Sequence, residues 1–432
     1  MHVYFSGIGG AGIGPLALIA KQAGYEVSGS DAKDSSYTNY LRSKGIENIQ
    51  IGQTKEQIRQ VHAAWPIDWF VYSSALPLTD PNHPELAFCK ENNIKTSKRD
   101  EFLNRLLADK NLKLIAVAGT HGKTTTTAMA VWLFKQLGIP ISYSVGAKLN
   151  FGEMGEFDPR SEYFIYEADE FDRNFLAFQP YLSLIAGVDW DHPDIYPTRE
   201  AYYDAFCQFL GQSRHSFVWQ EDAKELGVLE SKSLTALDQK DPRIDHQLDL
   251  AGHVNRLNAW LVANGLQHVV DKPLPELLQI LDKFPGLSRR FEQIAPGVYS
   301  DYAHTPPKIR GALQLAHEVA GNNVVVIYEG LHNNRQHFIK DELAGLFDNV
   351  KQLYIVPSYL AREDQNLKLL SPAELLNMLS NSSKEHGQAA ALDGALAENI
   401  RRSVSQNNIV LCLSGGGGGS LDEWLRKTFA TR

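Results

Sequence analysis

The sequence predicts an α/β protein of three domains, and three observations predict it. Short apolar runs alternate with longer helix-patterned stretches from end to end, which is the pattern of parallel strands joined by crossover helices. Two of these runs lead into glycine-rich turns that open helices. The chain has 432 residues, and roughly 150 residues per domain gives about three.

Composition narrows the class. At 43% hydrophobic and 22% charged residues the chain has ordinary globular usage. A net charge of −9 speaks against a general nucleic-acid binder, though not against a local site for a small anion. Cys89, Cys207 and Cys412 lie far apart with no CxxC pair, so neither a disulfide framework nor a zinc knuckle is expected, and a reducing cytoplasm fits. The first residues run straight into a strand and a glycine turn, with no leader pattern. No apolar run approaches the ~18 residues that a membrane helix needs. The expectation is a cytoplasmic enzyme with neither nucleic acid nor membrane as partner; the sequence does not give an oligomeric state.

The elements fall into three blocks. In the first, 2–5 reads as a strand, followed by glycines and a helix to about residue 24. Residues 26–30 and 69–73 are further strands, and 101–107 a closing helix before the polar junction 109–111. The second block opens with a strand over 112–118, a glycine turn and a helix over 123–137. Strands follow at 163–167 and 182–188, and helices at 255–270 and 274–283; the polar stretch 211–250 has no clear reading. The third block starts near 284–286, with strands at 298–302, 324–328, 353–356 and 409–413 and helices between.

Gly7, Gly9, Gly10 and Gly12 form a GxGxxG turn between strand and helix. Small residues let the backbone approach a diphosphate, and the helix start offers free N–H groups. Asp31 ends the second strand 19 residues after Gly12, where an acid facing a ribose would stand. NAD and a UDP-sugar present the same diphosphate, so the turn alone leaves both open.

Gly119-Thr120-His121-Gly122-Lys123-Thr124 is more specific. It follows a strand and opens a helix that continues with Thr125. This is the P-loop arrangement: backbone N–H groups cradle ATP phosphates, the lysine reaches the β/γ oxygens and the hydroxyl of Thr124 holds Mg²⁺. Val117 occupies the position of the first glycine of the full motif, so the form is a short variant. Two acidic loops end neighbouring strands, 167–172 (EADEFD) and 189–194 (DWDHPD), and carboxyl ends of adjacent strands converge on the ligand crevice. Glu167 is the candidate Mg²⁺ ligand and His192 a further one.

Taken in order, GIGGAG, SGSD, SSA, GTHGKTTTT, EADEFD, DHPDIY, NRLNA, RRFE and DYAHTP resemble the Mur ligases of peptidoglycan precursor synthesis over nearly the whole chain. The resemblance implies a Rossmann-like N-terminal domain for the UDP-sugar (1–108), a central P-loop domain with a parallel or mixed sheet (109–284) and a Rossmann-like closing domain (285–432). The first block looks most like members that join L-alanine to the lactyl carboxylate of UDP-N-acetylmuramate with ATP. By that resemblance Gly7, Gly9, Gly10, Gly12, Asp31, Ser73 and Ser74 would serve the UDP-sugar. Gly119–Thr125, Asn255, Asn258, Arg290 and Asp301 would serve ATP, with both asparagines at the adenine. Thr124, Glu167 and His192 would hold metal, two Mg²⁺ ions in all. His304 would close over the reacting groups and Arg335 would meet a substrate carboxylate. No lysine occurs between 191 and 214, so no carbamylated lysine is expected.

A carboxylate is a poor electrophile. Phosphorylation by ATP gives an acyl phosphate that an amine can attack, and the protein mainly positions reactants and offsets charge. Leu331-His332 stand where the alanine-adding members commonly carry His-Arg, and Phe171 replaces a common serine. These departures keep two alternatives in view, a ligase attaching a preformed tripeptide to the same sugar nucleotide and a silent UDP-N-acetylmuramate sensor; the GxGxxG turn keeps a third, an NAD oxidoreductase, which would leave the P-loop unexplained. The glycines at 415–419 read as a flexible strand–helix connection, and Tyr202, Tyr203, Phe206 and Cys207 as helix packing.

Overall fold

The computed structural model describes residues 1–73, 76–77, 80–192, 195–360, 363–364, 366–416 and 419–429. Among them eighteen strands form three sheets. The chain divides into two compact units, residues 1–247 with 257–284, and residues 248–256 with 285–432.

The first unit carries two sheets. The first sheet is built from β1 (His2–Ser6), β2 (Glu26–Asp31), β3 (Ile49–Ile51), β4 (Trp69–Tyr72) and β5 (Lys95–Lys98), in the order β3-β2-β1-β4-β5 and parallel throughout. The order reverses at β1, so the GxGxxG turn sits at the switch point where such sheets open a crevice. The second sheet holds β6 (Lys113–Ala118), β7 (Ser142–Ser144), β8 (Gly155–Glu156), β9 (Tyr163–Glu167), β10 (Leu182–Ile185), β11 (Ser216–Trp219) and β12 (Leu234–Leu237), in the order β12-β11-β10-β6-β9-β7-β8. Only the β7–β8 pair is antiparallel. β6 lies between β9 and β10, so the P-loop and both acidic loops leave neighbouring strand ends.

One hydrophobic core runs through both sheets of this unit. Val3 and Phe5, the buried face of helix Gly14–Gln22, and Phe102, Leu103, Leu106 and Leu107 of helix Arg99–Asp109 join Leu114, Ala116 and Phe164 in one cluster. At about 25 cal/mol per Å² of buried apolar surface, such packing dominates the stabilisation. It fixes helix Arg99–Asp109 as the strut between the two sheets. The second unit holds β13 (Glu292–Ala295), β14 (Val298–Asp301), β15 (Val324–Leu331), β16 (Gln352–Tyr359), β17 (Gly387–Ala389) and β18 (Ile409–Leu413), in the order β13-β14-β18-β15-β16-β17. All pairs but β13–β14 are parallel.

The sequence expectation is corrected in places. The strand expected over 182–188 ends at Ile185, because Gly187 turns its backbone oxygen to Thr120 N–H. The helix expected to reach 283 ends at Leu281. The unread stretch 211–250 supplies β11, β12 and two short helices. The glycines at 415 and 416 are closely packed: a Cβ there would lie 2.6 Å from Leu331 Cβ and 2.5 Å from Tyr359 Cδ2. Gly417 and Gly418 lie outside the described residues. Cys89 and Cys412 are core thiols, and Cys207 is half-buried with its thiol donating to Leu226 O.

Candidate active site

In the first unit the P-loop is held by its neighbours before any ligand is considered. Gly122 caps helix Lys123–Gln136 at φ +78°, and a Cβ there would meet Asn258 Oδ1 at 2.9 Å. Glycine supplies both the left-handed backbone and the clearance. Thr120 Oγ1 donates to Asp189 O (2.6 Å), accepts from Asp189 N–H and meets Tyr202 OH at 2.8 Å. Tyr202 is thus the floor beneath the loop as well as packing. His121 and Thr125 are half-buried loop and helix-start positions.

The acidic segment that begins at the end of β9 commits its carboxylates to different partners, Asp172 to Lys98 among them. Glu167 Oε1 accepts from Thr124 Oγ1 (2.8 Å), and its Oε2 from Gly146 N–H (2.8 Å). Asp169 Oδ2 accepts from Arg99 Nη2 (3.0 Å). Glu170, 1% exposed, takes the ammonium of Lys123 at 2.6 and 2.9 Å, while Lys123 also donates to Gly119 O. Burial opposes the charge on both members of that pair: it pushes the Glu170 carboxyl up, while on Lys123 it is outweighed by Glu170, Asp169 and Glu167 together, which hold the ammonium above its ordinary pKa. His192 Nε2 lies 3.7 Å from Glu170 Oε1, and its ring meets Phe171 edge-on. Glu167 therefore stands beside Thr124 and His192 beside Glu170. Left-handed backbone at Asp172, Arg173 and His192 concentrates strain in these loops, as functional loops often do.

The site suits Mg²⁺. The Thr124 hydroxyl and Glu167 carboxylate are adjacent hard oxygen donors at a helix start, and Mg²⁺ takes few protein ligands beside phosphate and water. Among the described residues no cluster of three or more His, Cys, Asp or Glu side chains is poised to cage a metal.

At the first glycine cluster Gly7 and Ile8 N–H donate to Ser30 O, and Gly10 N–H donates to Gly7 O. Asp31 ends β2 as expected, and its Oδ2 accepts from Gly9 N–H (2.8 Å), which ties the turn to β2. Ser73 follows β4 and is half-buried; Ser74 lies outside the described residues. A cavity of about 210 Å³ joins the two clusters, lined among others by Gly12, Arg99, Lys123, Gly146, Glu167 and Asp169.

Sequence reasoning missed Arg99 and the 144–146 turn in this cavity, and it placed Asp169 and Glu170 in the acidic loop without their partners Arg99 and Lys123. Arg99 carried one signal. A cation opens helix Arg99–Asp109, where the helix dipole disfavours it. Asn258 is buried against Gly122 in the first unit. Asn255, in the second unit, donates from Nδ2 to Ala251 O.

The remaining expected residues form their own cluster in the second unit. Arg290 Nη1 and His304 Nδ1 both meet Tyr302 O, at 3.3 and 3.2 Å, and the Tyr302 ring packs edge-on against His304. Asp301 Oδ2 accepts from Phe291 N–H, and burial pushes its carboxyl up to about 6. Burial, with the charges of Lys308, Arg335 and Arg290, holds His304 well below its ordinary pKa, so it is neutral at pH 7. Leu331 is buried, and His332 Nδ1 lies 3.6 Å from Glu363 Oε1.

Residues 2–111 match the Mur ligase family catalytic domain, and residues 117–236 the Mur ligase middle domain. A UDP-N-acetylmuramate–L-alanine ligase of Clostridium beijerinckii is 30% identical over 450 residues, covering 96% of this chain and 95% of that protein. The crystal structure of a UDP-N-acetylmuramate–alanine ligase from Thermotoga maritima superposes with a TM-score of 0.77 at 24% identity, covering 99% of this chain and 98% of that one. A murein peptide ligase from Psychrobacter arcticus gives 0.63 at 20% identity, covering 96% of each chain.

Proposed function

The chain belongs to the Mur ligase family, and from that premise we propose that it joins L-alanine to the lactyl carboxylate of UDP-N-acetylmuramate at the expense of ATP, a step of peptidoglycan precursor synthesis. The cavity carries the reading. It leads from the diphosphate-type turn at Gly12 to Lys123 and Glu167, so an acid held at the first cluster reaches the phosphate end of the second.

Each residue then has a task. The turn from Gly7 to Gly12 receives the diphosphate at its Ala11–Gly12 end, because the Gly7, Ile8, Gly9 and Gly10 N–H groups are already bonded to Ser30 O, Asp31 Oδ2 and Gly7 O. The turn 119–122 receives the ATP phosphates, and Lys123 exchanges Glu170 for the β/γ oxygens. Thr124 and Glu167 hold Mg²⁺, which when bound offsets charge on the transferring phosphoryl group. A second ion beside His192 is part of this proposal. The phosphoryl group passes to the carboxylate, the amine attacks the acyl phosphate, and phosphate leaves. Keeping water from that intermediate is the task of closure. The domain assignment belongs to the same reading: 1–108 for the sugar nucleotide, 109–284 for ATP, and 285–432 as the closing domain. In that domain Arg290 and Asp301 serve ATP, His304 the reacting groups and Arg335 a substrate carboxylate. With no helix among the described residues long and apolar enough to cross a membrane, a cytoplasmic place is part of the proposal, as is the absence of nucleic-acid and membrane partners.

One observation favours a second reading. Buried Leu331 offers no charge, and His332 faces Glu363, which leaves Arg335 as the only arginine or lysine between residues 330 and 335. A preformed tripeptide is then the competing amine. Phosphate release from ATP and UDP-N-acetylmuramate separates the two readings. Turnover with L-alanine supports the first. Silence across single amino acids, with turnover of L-Ala-γ-D-Glu-diaminopimelate, overturns it.

A further inference from the structure

Arg99 lies between the two glycine clusters of the first unit. It opens helix Arg99–Asp109, the strut between the two sheets, at the end where the helix dipole opposes positive charge. Its side chain is 16% exposed, so the guanidinium has given up most of its water. Nη2 donates to Asp169 Oδ2 at 3.0 Å, and the neighbouring Asp100 carboxylate is 4.0 Å from Nε. Nη1 points the other way, against the first glycine cluster: a Cβ on Gly12 would come within 2.0 Å of it. Among the described residues no acceptor takes Nη1, and it fronts the cavity that Lys123 and Glu167 line from the far side. The Lys123–Glu170 pair shows the same construction. Each cation fronts the cavity and is held by a carboxylate from the segment that follows β9.

We infer that Arg99 binds the lactyl carboxylate of the sugar nucleotide and presents it to the phosphate held by Lys123, with Asp169 as the placeholder when the site is empty. The inference rests on the proposed reaction. A guanidinium fork matches a carboxylate in two parallel hydrogen bonds, which fixes orientation as well as position. Its place between Gly12 and the P-loop is where the carboxylate must lie if the diphosphate sits on the glycine turn and the phosphoryl donor on Lys123. The diphosphate is the other oxyanion that Nη1 could meet, and the test separates the two.

The test measures calorimetric binding of UDP-N-acetylmuramate and of UDP-N-acetylglucosamine, which lacks the lactyl group, without ATP. Arg99→Met is expected to weaken the first by about 10- to 100-fold and to leave the second within about twofold. Arg99→Lys keeps the charge and loses the fork. It is expected to show a smaller loss of the same selectivity, and it keeps the question answerable where the methionine variant does not fold. Equal weakening of both nucleotides overturns the inference in favour of the diphosphate, and no weakening of either overturns it outright. Wild-type protein that binds neither nucleotide overturns the functional reading together with it. Wild-type binding and turnover with an unselective variant overturns the inference alone.

Discussion

The two glycine clusters of the first unit do related work by different means. The second is braced from outside: Thr120 is bonded to Asp189 and Tyr202, Lys123 to Glu170, and Gly122 lies against Asn258. The first is braced mainly by itself and by β2, through Ser30 O and the carboxylate of Asp31. The second loop has its lysine and hydroxyl committed to carboxylates in advance, as the proposed triphosphate and metal site requires. The first loop, the proposed diphosphate site, has most of its N–H groups committed to its own shape. The difference teaches that glycine supplies access in both, but charge control in only one.

Variants can break this contrast. Lys123→Ala is expected to cut ATP turnover by about 10³-fold or more, read as phosphate release, while binding of the sugar nucleotide stays within about twofold. Glycine replacements divide the same way. Gly122→Ala forces a side chain into left-handed backbone, at a cost of about 1–2 kcal/mol, and is expected to weaken ATP binding about tenfold without touching the sugar nucleotide. Gly12→Ala pushes on Arg99 and is expected to do the reverse, by several-fold; calorimetry with each nucleotide reads both. A loss of both affinities in either variant would mean that the clusters are not independent.

The smallest effect concerns what lies beneath the second cluster. Burial pushes the Asp222 carboxyl up to about 7, against the hydrogen bond from Val188 N–H and with Glu225, Glu221 and Asp189 adding to the rise. The folded chain therefore holds this proton more tightly than the unfolded chain. Its stability falls as pH rises from about 4 to about 7 and levels off above. Asp222→Asn removes that slope. It is expected to raise the melting temperature by about 2–4 °C at pH 8 and to leave it unchanged near pH 4. A gain that is the same at both pH values would assign the effect to packing instead.

Much of this was legible in the sequence because it is local. The P-loop is six contiguous residues between a strand and a helix, and the central strands of every sheet are apolar runs. The edges were not legible: β5, β12, β13 and β17 are three or four residues long and half exposed, so they carry little apolar signal. Asp31 was found by spacing, but its bond to Gly9 was not, since a strand end shows where an acid stands and not what it accepts. Arg99 escaped because its meaning lies in Asp169, seventy residues on, and in a cavity that no stretch of chain contains.

The segment from Glu167 to Glu170 has an ionic consequence. Its acids already neutralise Lys123 and Arg99, so the cavity presents phosphate or carboxylate with no exposed excess of positive charge. Arrival of an anion is then an exchange of partners, with carboxylates displaced as the ligand enters. Two results follow in a chain of net charge −9. Affinity should depend only weakly on added salt, because buried pairs are poorly screened. The displaced acids are left needing positive charge of their own, so nucleotide and divalent cation should enter as a unit.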